Sequence, residues 1–121
     1  MKPKKILIVD DDARNIFALT ATLKAKSFEC VSCLSAQEAL LILASQHDID
    51  VILIDMMMPE MDGYEAIALI KKMPSYERTP LIAVTAQAMK GDREKCLQSG
   101  ADDYISKPIN VDQLLLILNK L

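Results

Sequence analysis

Carboxylate, hydroxyl and ammonium groups follow four short strand-like runs in this 121-residue sequence, three of them mainly apolar. Asp10 and Asp11 come directly after ILIV, and Asp55 comes directly after DVILI. Thr85 follows LIAV, and Lys107 follows DYIS. A group of carboxylates suits a hard divalent cation such as Mg²⁺, which prefers oxygen ligands. Beside such a cation a carboxylate can act as a nucleophile, while the lysine and the hydroxyl hold an anion.

Each of these residues also has a purely structural interpretation. Asp10 and Asp11 could be solvated loop residues, and Asp12 suits the first position of a helix, where its charge favours the positive end of the dipole. Thr85 could be an ordinary β-former and Lys107 an ordinary surface lysine. We favour a shared site, because the structural interpretations would require these polar residues to meet at one edge of a sheet by coincidence.

Strand and helix patterns alternate along the chain. Continuous apolar runs are typical of strands covered on both faces, and other stretches have apolar residues at helical spacing. Strands are predicted over 5–9, 28–33, 50–54, 81–84 and 103–106, and helices over about 13–26, after Ser35, over 64–72, over 89–99 and after Asn110. This order predicts an α/β fold with a five-stranded parallel sheet between two layers of helices. Ligands of such sheets bind at the carboxyl ends of the strands, where the polar groups stand.

Helix ends and loop residues can also be assigned from residue type. Ser35 and Glu38 have the spacing of a capping box, and Asn110 suits the cap of the last helix. Gly100 fits the C-terminal end of the helix before it. The methionines at 56–58 are expected to be packing and loop residues rather than ligands.

Composition argues against several classes of function. The net charge of −3 and the pI of about 5.1 provide no basic face for nucleic acid or an anionic membrane. No apolar run approaches the ~18 residues of a membrane span. Nucleotide binding is disfavoured because the chain has only three glycines and neither glycine-rich phosphate-binding motif.

The cysteines and the single histidine favour structural roles. Three cysteines in a chain with no sign of secretion predict reduced thiols in a cytoplasmic protein. Cys30 and Cys33 form a C-x-x-C within a strand-like run, whereas a redox pair would open a helix, so packing thiols are expected. His47 lies in a polar connection without a nucleophile beside it, which favours a surface position.

Four motifs together resemble the receiver domain of two-component response regulators. They are ILIVDDD, VILIDMMMPEMDGYE, LIAVTAQA and GADDYISKPI, with the threonine 30 residues and the lysine 52 residues after Asp55. The resemblance covers essentially the whole chain, residues 1–121. It implies one receiver domain with a flavodoxin-like, doubly wound (βα)5 fold and the strand order 2-1-3-4-5.

The resemblance also implies a phosphoryl-accepting site that uses Mg²⁺. Asp55 matches the phospho-acceptor, whose carboxylate takes a phosphoryl group from a phosphohistidine of a partner. Asp11 matches a direct magnesium ligand, and Asp10 matches the ligand that acts through water. Asp55 itself and the backbone carbonyl of Met57 complete the implied set of protein ligands.

Further roles follow from the same resemblance. Lys107 is implied to pair with one phosphoryl oxygen, and Thr85 with the backbone N–H of Ala86 to hold another. The Lys107–Pro108 peptide bond is expected to be cis. Thr85 and Tyr104 match a switch that remodels the surface of helix 4, strand 5 and helix 5. A half-buried strand tyrosine is the plain alternative for Tyr104.

The partner implied by the resemblance is a sensor histidine kinase or a histidine phosphotransfer protein. No direct nucleic-acid or membrane contact is expected, and a phosphorylation-dependent homodimer stays open. The chain could be a stand-alone regulator or, as we favour, the receiver of a hybrid kinase, cytoplasmic in either case. A magnesium-dependent phosphohydrolase is disfavoured because such enzymes need a second aspartate where Met57 stands. The intact Asp10, Asp11, Asp55, Thr85 and Lys107 disfavour a degenerate receiver that only binds.

Overall fold

The computed structural model describes residues 3–58, 61, 63–85 and 92–120. Strands and helices alternate through this part of the chain: β1 Lys5–Val9, α1 Ala13–Ala25, β2 Glu29–Cys33, α2 Ala36–Ser45, β3 Val51–Asp55, α3 Gly63–Lys71, β4 Leu81–Thr85, α4 Asp92–Ser99, β5 Asp103–Ser106 and α5 Val111–Asn119. All strand pairs are parallel, in the order β2-β1-β3-β4-β5. The predicted fold class and strand order are confirmed.

Two hydrophobic clusters, one on each face of the sheet, form the core. Because successive strand residues point to opposite faces, Leu7 and Ile52 belong to one cluster and Ile6 and Leu53 to the other. Buried residues of α2, α3 and α4 complete the first cluster, and those of α1 and α5 complete the second. With both faces covered, the central strands can be apolar throughout.

The helices begin and end as the residue types predict, with one difference. Asp12, Ser35 and Asn110 are N-caps, and Gly100 follows α4 with a φ of +117°. The Glu38 carboxylate accepts a hydrogen bond from the backbone N–H of Leu34, not from that of Ser35 as a capping box predicts. The glutamate therefore reaches one residue further back along the chain.

Strands β3 and β4 are each one residue longer at the carboxyl end than predicted. Asp55 is paired with Val84, and Thr85 with Ser106. Both polar residues are therefore held by the sheet itself, with the strand geometry fixing their Cα positions. The predicted start of the fourth helix at 89 lies outside the described residues.

Gly63 allows α3 to begin close behind the end of β3. A Cβ atom at this position would lie 2.5 Å from Met56 Sδ and 2.6 Å from Met56 Cα, closer than van der Waals contact allows. The Gly63 N–H also donates to the Met56 carbonyl, at 3.3 Å. This close approach holds the backbone just after Asp55 against the sheet.

No helix in the described part of the chain is long and apolar enough to span a membrane.

Candidate functional site

The carboxyl ends of four strands bring the predicted site residues to one edge of the sheet. Asp55 ends β3 and Thr85 ends β4. Lys107 directly follows β5, and its backbone N–H donates to the Thr85 carbonyl at 2.7 Å. Asp10 follows β1, and its backbone N–H donates to the Cys33 carbonyl. Backbone hydrogen bonds therefore fix the starting point of each functional side chain.

Asp10, Asp11 and Asp55 form an acidic cluster. One carboxylate oxygen from each lies within 4.8 Å of the other two. Asp10 and Asp55 are each only 3% exposed, whereas Asp11 is open to solvent. Charges of one sign held this close repel each other, and a hard cation would remove that repulsion. Three oxygen ligands with one open side fit Mg²⁺, which keeps several waters of its own.

Lys107 supplies a positive charge beside this cluster. Its Nζ atom donates to Asp55 Oδ2 at 2.9 Å and lies 3.7 Å from Asp10 Oδ2. Burial lowers the pKa of Lys107, but the hydrogen bond to Asp55 and the charges of the three aspartates outweigh that effect and raise the pKa. The ammonium group is therefore charged at neutral pH.

Asp55 is held at both oxygens. Its Oδ1 accepts from the backbone N–H of Met57 at 2.9 Å, and its Oδ2 accepts from Lys107. Burial nevertheless raises the pKa of Asp55, against the lowering effects of the Met57 N–H and of Lys107, and the nearby charge of Asp10 raises it further. An oriented, poorly solvated carboxylate beside a cation is suited to nucleophilic attack.

The sequence profile of the response regulator receiver domain matches residues 6–119. The chain belongs to this family.

Relatives of this receiver are found both as single regulators and inside long kinases. It is 39% identical over 113 residues to the polar-differentiation response regulator DivK of Brucella anthropi, covering 93% of this chain and 91% of DivK. It is 40% identical over 109 residues to the histidine kinase BarA of Escherichia coli K12, covering 90% of this chain but only 12% of BarA. The receiver thus spans nearly all of one relative and about an eighth of the other.

A solved structure with the same fold is the receiver domain of the sensor histidine kinase PA1611 from Pseudomonas aeruginosa. The TM-score is 0.88 at 35% identity, over 98% of this chain and 96% of that one. That structure is described as having a magnesium ion coordinated in the active-site cleft.

Thr85 and Tyr104 lie on neighbouring strands of the receiver and share one face of the sheet. Ala83 pairs with Tyr104, and Thr85 pairs with Ser106 two residues further on. Ala83 belongs to the cluster under α2, α3 and α4, against which Tyr104 also packs, half-buried. Since residues two apart along a strand point the same way, Thr85 and Tyr104 face the same helices.

Other predicted features of the receiver can also be located. The Lys107–Pro108 peptide bond is cis. The structure places the Met57 N–H against Asp55, and it leaves the ligand role of the Met57 carbonyl as a prediction. Ala86, whose N–H is implied to hold phosphate, lies outside the described residues. Met56 and Met58 are buried as packing residues, but Met57 is 54% exposed.

The C-x-x-C of the receiver is not arranged as a redox pair. Both thiols are free, and three residues apart on a strand they point to opposite faces. Burial raises the pKa of Cys33 to about 11, and the charge of Glu38 also raises it. A backbone hydrogen bond at Ser35 lowers the pKa but does not outweigh these effects. Neutral thiols of this kind are poor nucleophiles. His47 is exposed, as predicted.

Asn15 is a site residue that the sequence patterns did not single out. It lies on α1, half-buried, and its side-chain amide donates to Asp10 Oδ2. The buried stripe of α1 consists of Ile16, Leu19 and Leu23, at the spacing that helical periodicity predicts. Asn15 lies beside that stripe in the first turn of α1, and it reaches back five residues to Asp10 at the end of β1.

Proposed function

We propose that this receiver takes a phosphoryl group onto Asp55 from a phosphohistidine of a sensor histidine kinase or a histidine phosphotransfer protein. The observation that carries the proposal is the 2.9 Å hydrogen bond from Lys107 Nζ to Asp55 Oδ2 beside the acidic cluster. It joins a candidate nucleophile, a cation for the phosphoryl group and a set of oxygen ligands in one small space.

The proposed transfer needs one bond to form and one to break. A carboxylate oxygen of Asp55 attacks the phosphorus, and the P–N bond to the partner's imidazole breaks with its electron pair going to the nitrogen. The product is an acyl phosphate on Asp55. Phosphoryl transfer depends mainly on positioning and on neutralising charge, which this site is equipped to do.

The side chains around Asp55 have separate tasks in this scheme. Lys107 moves its hydrogen bond from the carboxylate to a phosphoryl oxygen, while the Thr85 hydroxyl and the Ala86 N–H hold another. Asp11, Asp55 and the Met57 carbonyl, with Asp10 through water, would hold Mg²⁺. When bound, the ion neutralises charge on the phosphoryl oxygens.

The proposed output is a change in the surface of α4, β5 and α5. A phosphoryl group on Asp55 attracts the Thr85 hydroxyl, and the space this movement leaves on the shared sheet face is taken by Tyr104. The placement of both residues on that face supports this route. The remodelled surface would engage a downstream partner or a second phosphorylated copy as a homodimer.

The cellular setting proposed is the bacterial cytoplasm, with the whole chain 1–121 as one receiver domain. DivK and BarA support a stand-alone regulator and a hybrid-kinase receiver, respectively. We favour the hybrid-kinase setting, where the receiver would be the cytoplasmic part of a membrane-bound protein.

Incubation with Mg²⁺ and a small phosphodonor such as acetyl phosphate, followed by intact-mass measurement, tests the proposal. We expect one phosphoryl adduct in the wild-type protein and none in Asp55→Asn. Asp12→Asn is the matched control, because Asp12 is an exposed helix cap outside the acidic cluster and asparagine also caps helices. Continuous release of phosphate without an adduct would indicate a phosphohydrolase, and no reaction would indicate a module that only binds.

A further inference from the structure

Asn15 connects helix α1 to the acidic cluster by a side-chain hydrogen bond. Its Nδ2 atom donates to Asp10 Oδ2. The amide must present nitrogen here, because a carboxylate has only acceptor atoms and the amide oxygen would be repelled. Ile16, the next residue, is buried in the core below α1, which fixes the position of the Asn15 backbone.

The other contacts of Asp10 explain why this hydrogen bond is important. Asp10 Oδ1 accepts from the Asp12 backbone N–H at 2.8 Å. Asp10 Oδ2 accepts from the Asn15 amide and lies 3.7 Å from Lys107 Nζ. Asn15 therefore holds the oxygen that would otherwise form a close ion pair with Lys107.

Lys107 cannot pair closely with both carboxylates without cost to one of them. In this structure its short contact is with Asp55, at 2.9 Å, and its longer one is with Asp10. If Asp10 Oδ2 were released, rotation of that carboxylate toward Lys107 would close the longer distance. This would turn the carboxylate away from the cation position and draw the ammonium group from Asp55.

We propose that Asn15 is a positioning residue that keeps the Asp10 carboxylate turned toward the magnesium position and away from Lys107. The inference rests on the proposed function, since it assigns a role within the same site. Asn15 touches neither the phosphoryl group nor Asp55 in this scheme and acts only through Asp10. Partners of metal-ligating groups commonly change metal affinity by about tenfold or more when removed.

The test is magnesium affinity measured by isothermal titration calorimetry on the whole chain, without a phosphodonor. We expect Asn15→Ala and Asn15→Leu to bind Mg²⁺ about tenfold more weakly than the wild type. Leucine keeps the branched shape of asparagine but has no donor, so it separates loss of the hydrogen bond from loss of volume. Asn15→Gln retains a donor and should recover part of the affinity.

Thr22→Ala is the matched control on the same helix. Thr22 lines the same groove along α1 as Asn15, and its hydroxyl donates to the Ala18 carbonyl of its own helix. This variant should bind Mg²⁺ as the wild type does. Thermal unfolding without Mg²⁺ shows whether each variant is folded at the temperature of the titration.

A second readout separates positioning from general damage. The initial rate of adduct formation from acetyl phosphate should shift to higher Mg²⁺ concentration in Asn15→Ala, with most of the wild-type rate restored at saturation. Folded Asn15→Ala and Asn15→Leu proteins with wild-type magnesium affinity would overturn the inference. A wild-type protein that binds Mg²⁺ but takes no phosphoryl group would overturn the proposed function instead, and one that does not bind Mg²⁺ would overturn both.

Discussion

Lys107 and Asp55, 52 residues apart in the sequence, are joined by a 2.9 Å hydrogen bond from Nζ to Oδ2. The lysine follows the edge strand β5, and the aspartate ends the central strand β3, with β4 between them. The parallel register of these three strands is what brings the two side chains together. The contact therefore depends on the fold as a whole and not on any local segment.

Replacement of Lys107 by glutamine should slow phosphorylation of Asp55. Glutamine keeps most of the side-chain length but removes the charge that would stabilise the phosphoryl oxygens. Loss of one such donor typically costs about a hundredfold in rate. The initial rate of adduct formation from acetyl phosphate, followed by intact mass, measures the effect. Lys120→Gln, at an exposed lysine beyond α5, should react as the wild type does, and an unchanged rate in Lys107→Gln would contradict the role given to that residue.

Mg²⁺ should stabilise the folded protein through the acidic cluster. A ligand that binds only the native state adds about 2.7 kcal/mol at a free concentration one hundred times its Kd. The melting temperature should rise with Mg²⁺ and return when the ion is chelated. Asp11→Asn should lose most of this rise and Asp12→Asn should keep it. Equal stabilisation of these two variants would show that the ion binds elsewhere.

The free energy of unfolding should depend on pH in the direction set by the raised pKa of Asp55. Burial raises this pKa above its ordinary value of 3.8, so the folded state binds more protons than the unfolded state at pH values just above 3.8. The contribution of Asp55 to stability is therefore highest at acidic pH and falls as the pH rises through the folded-state pKa.

Asp55→Asn removes this titration and isolates its effect. Without Mg²⁺ we expect the variant to be more stable than the wild type at neutral pH, with a difference that shrinks as the pH is lowered toward 3.8. Lys107 keeps a carboxylate partner in the variant, since Asp10 lies 3.7 Å away. Urea denaturation of both proteins over this range gives the comparison, and a variant that is less stable at neutral pH would count against the assigned direction.

Phosphorylation should change the α4–β5–α5 surface by way of Thr85. In backbone amide NMR spectra, the shifts caused by the phosphodonor and Mg²⁺ should extend from Asp55 to Tyr104 and α5 in the wild type. In Thr85→Ala these shifts should stay close to Asp55, because alanine has no hydroxyl that could move toward the phosphoryl group. Thr20→Ala, on α1, serves as the control for loss of a threonine. An equally wide spread of shifts in Thr85→Ala would exclude Thr85 as the link.

Much of this architecture could be predicted from local patterns, because β1, β3 and β4 have continuous apolar runs and most of the helices have a periodic apolar stripe. The ends of β3 and β4 were predicted one residue short, since Asp55 and Thr85 are polar and residue type alone places them in loops. The sheet retains both because neighbouring strands pair with them. Hydrogen bonding between strands depends on the tertiary fold and cannot be predicted from the sequence of one segment.

The less predictable features are individual side-chain contacts and close backbone approach. Asn15 meets Asp10 because the first turn of α1 begins directly after the end of β1, and periodicity alone identifies the buried stripe of α1 but not its flanks. The need for glycine at 63 arises from contact with Met56, seven residues earlier, which no turn propensity reveals. Such contacts belong to tertiary packing.

Locating the phosphoryl group within the chain tests the central claim most directly. After reaction with acetyl phosphate and Mg²⁺, borohydride reduction converts an acyl phosphate on aspartate to homoserine, and peptide mass spectrometry identifies the changed residue. We predict one changed residue, Asp55, and none in a sample prepared without Mg²⁺ or carrying Asp55→Asn. Conversion at Asp10 or Asp11 instead, or an adduct that persists in Asp55→Asn, would contradict the account.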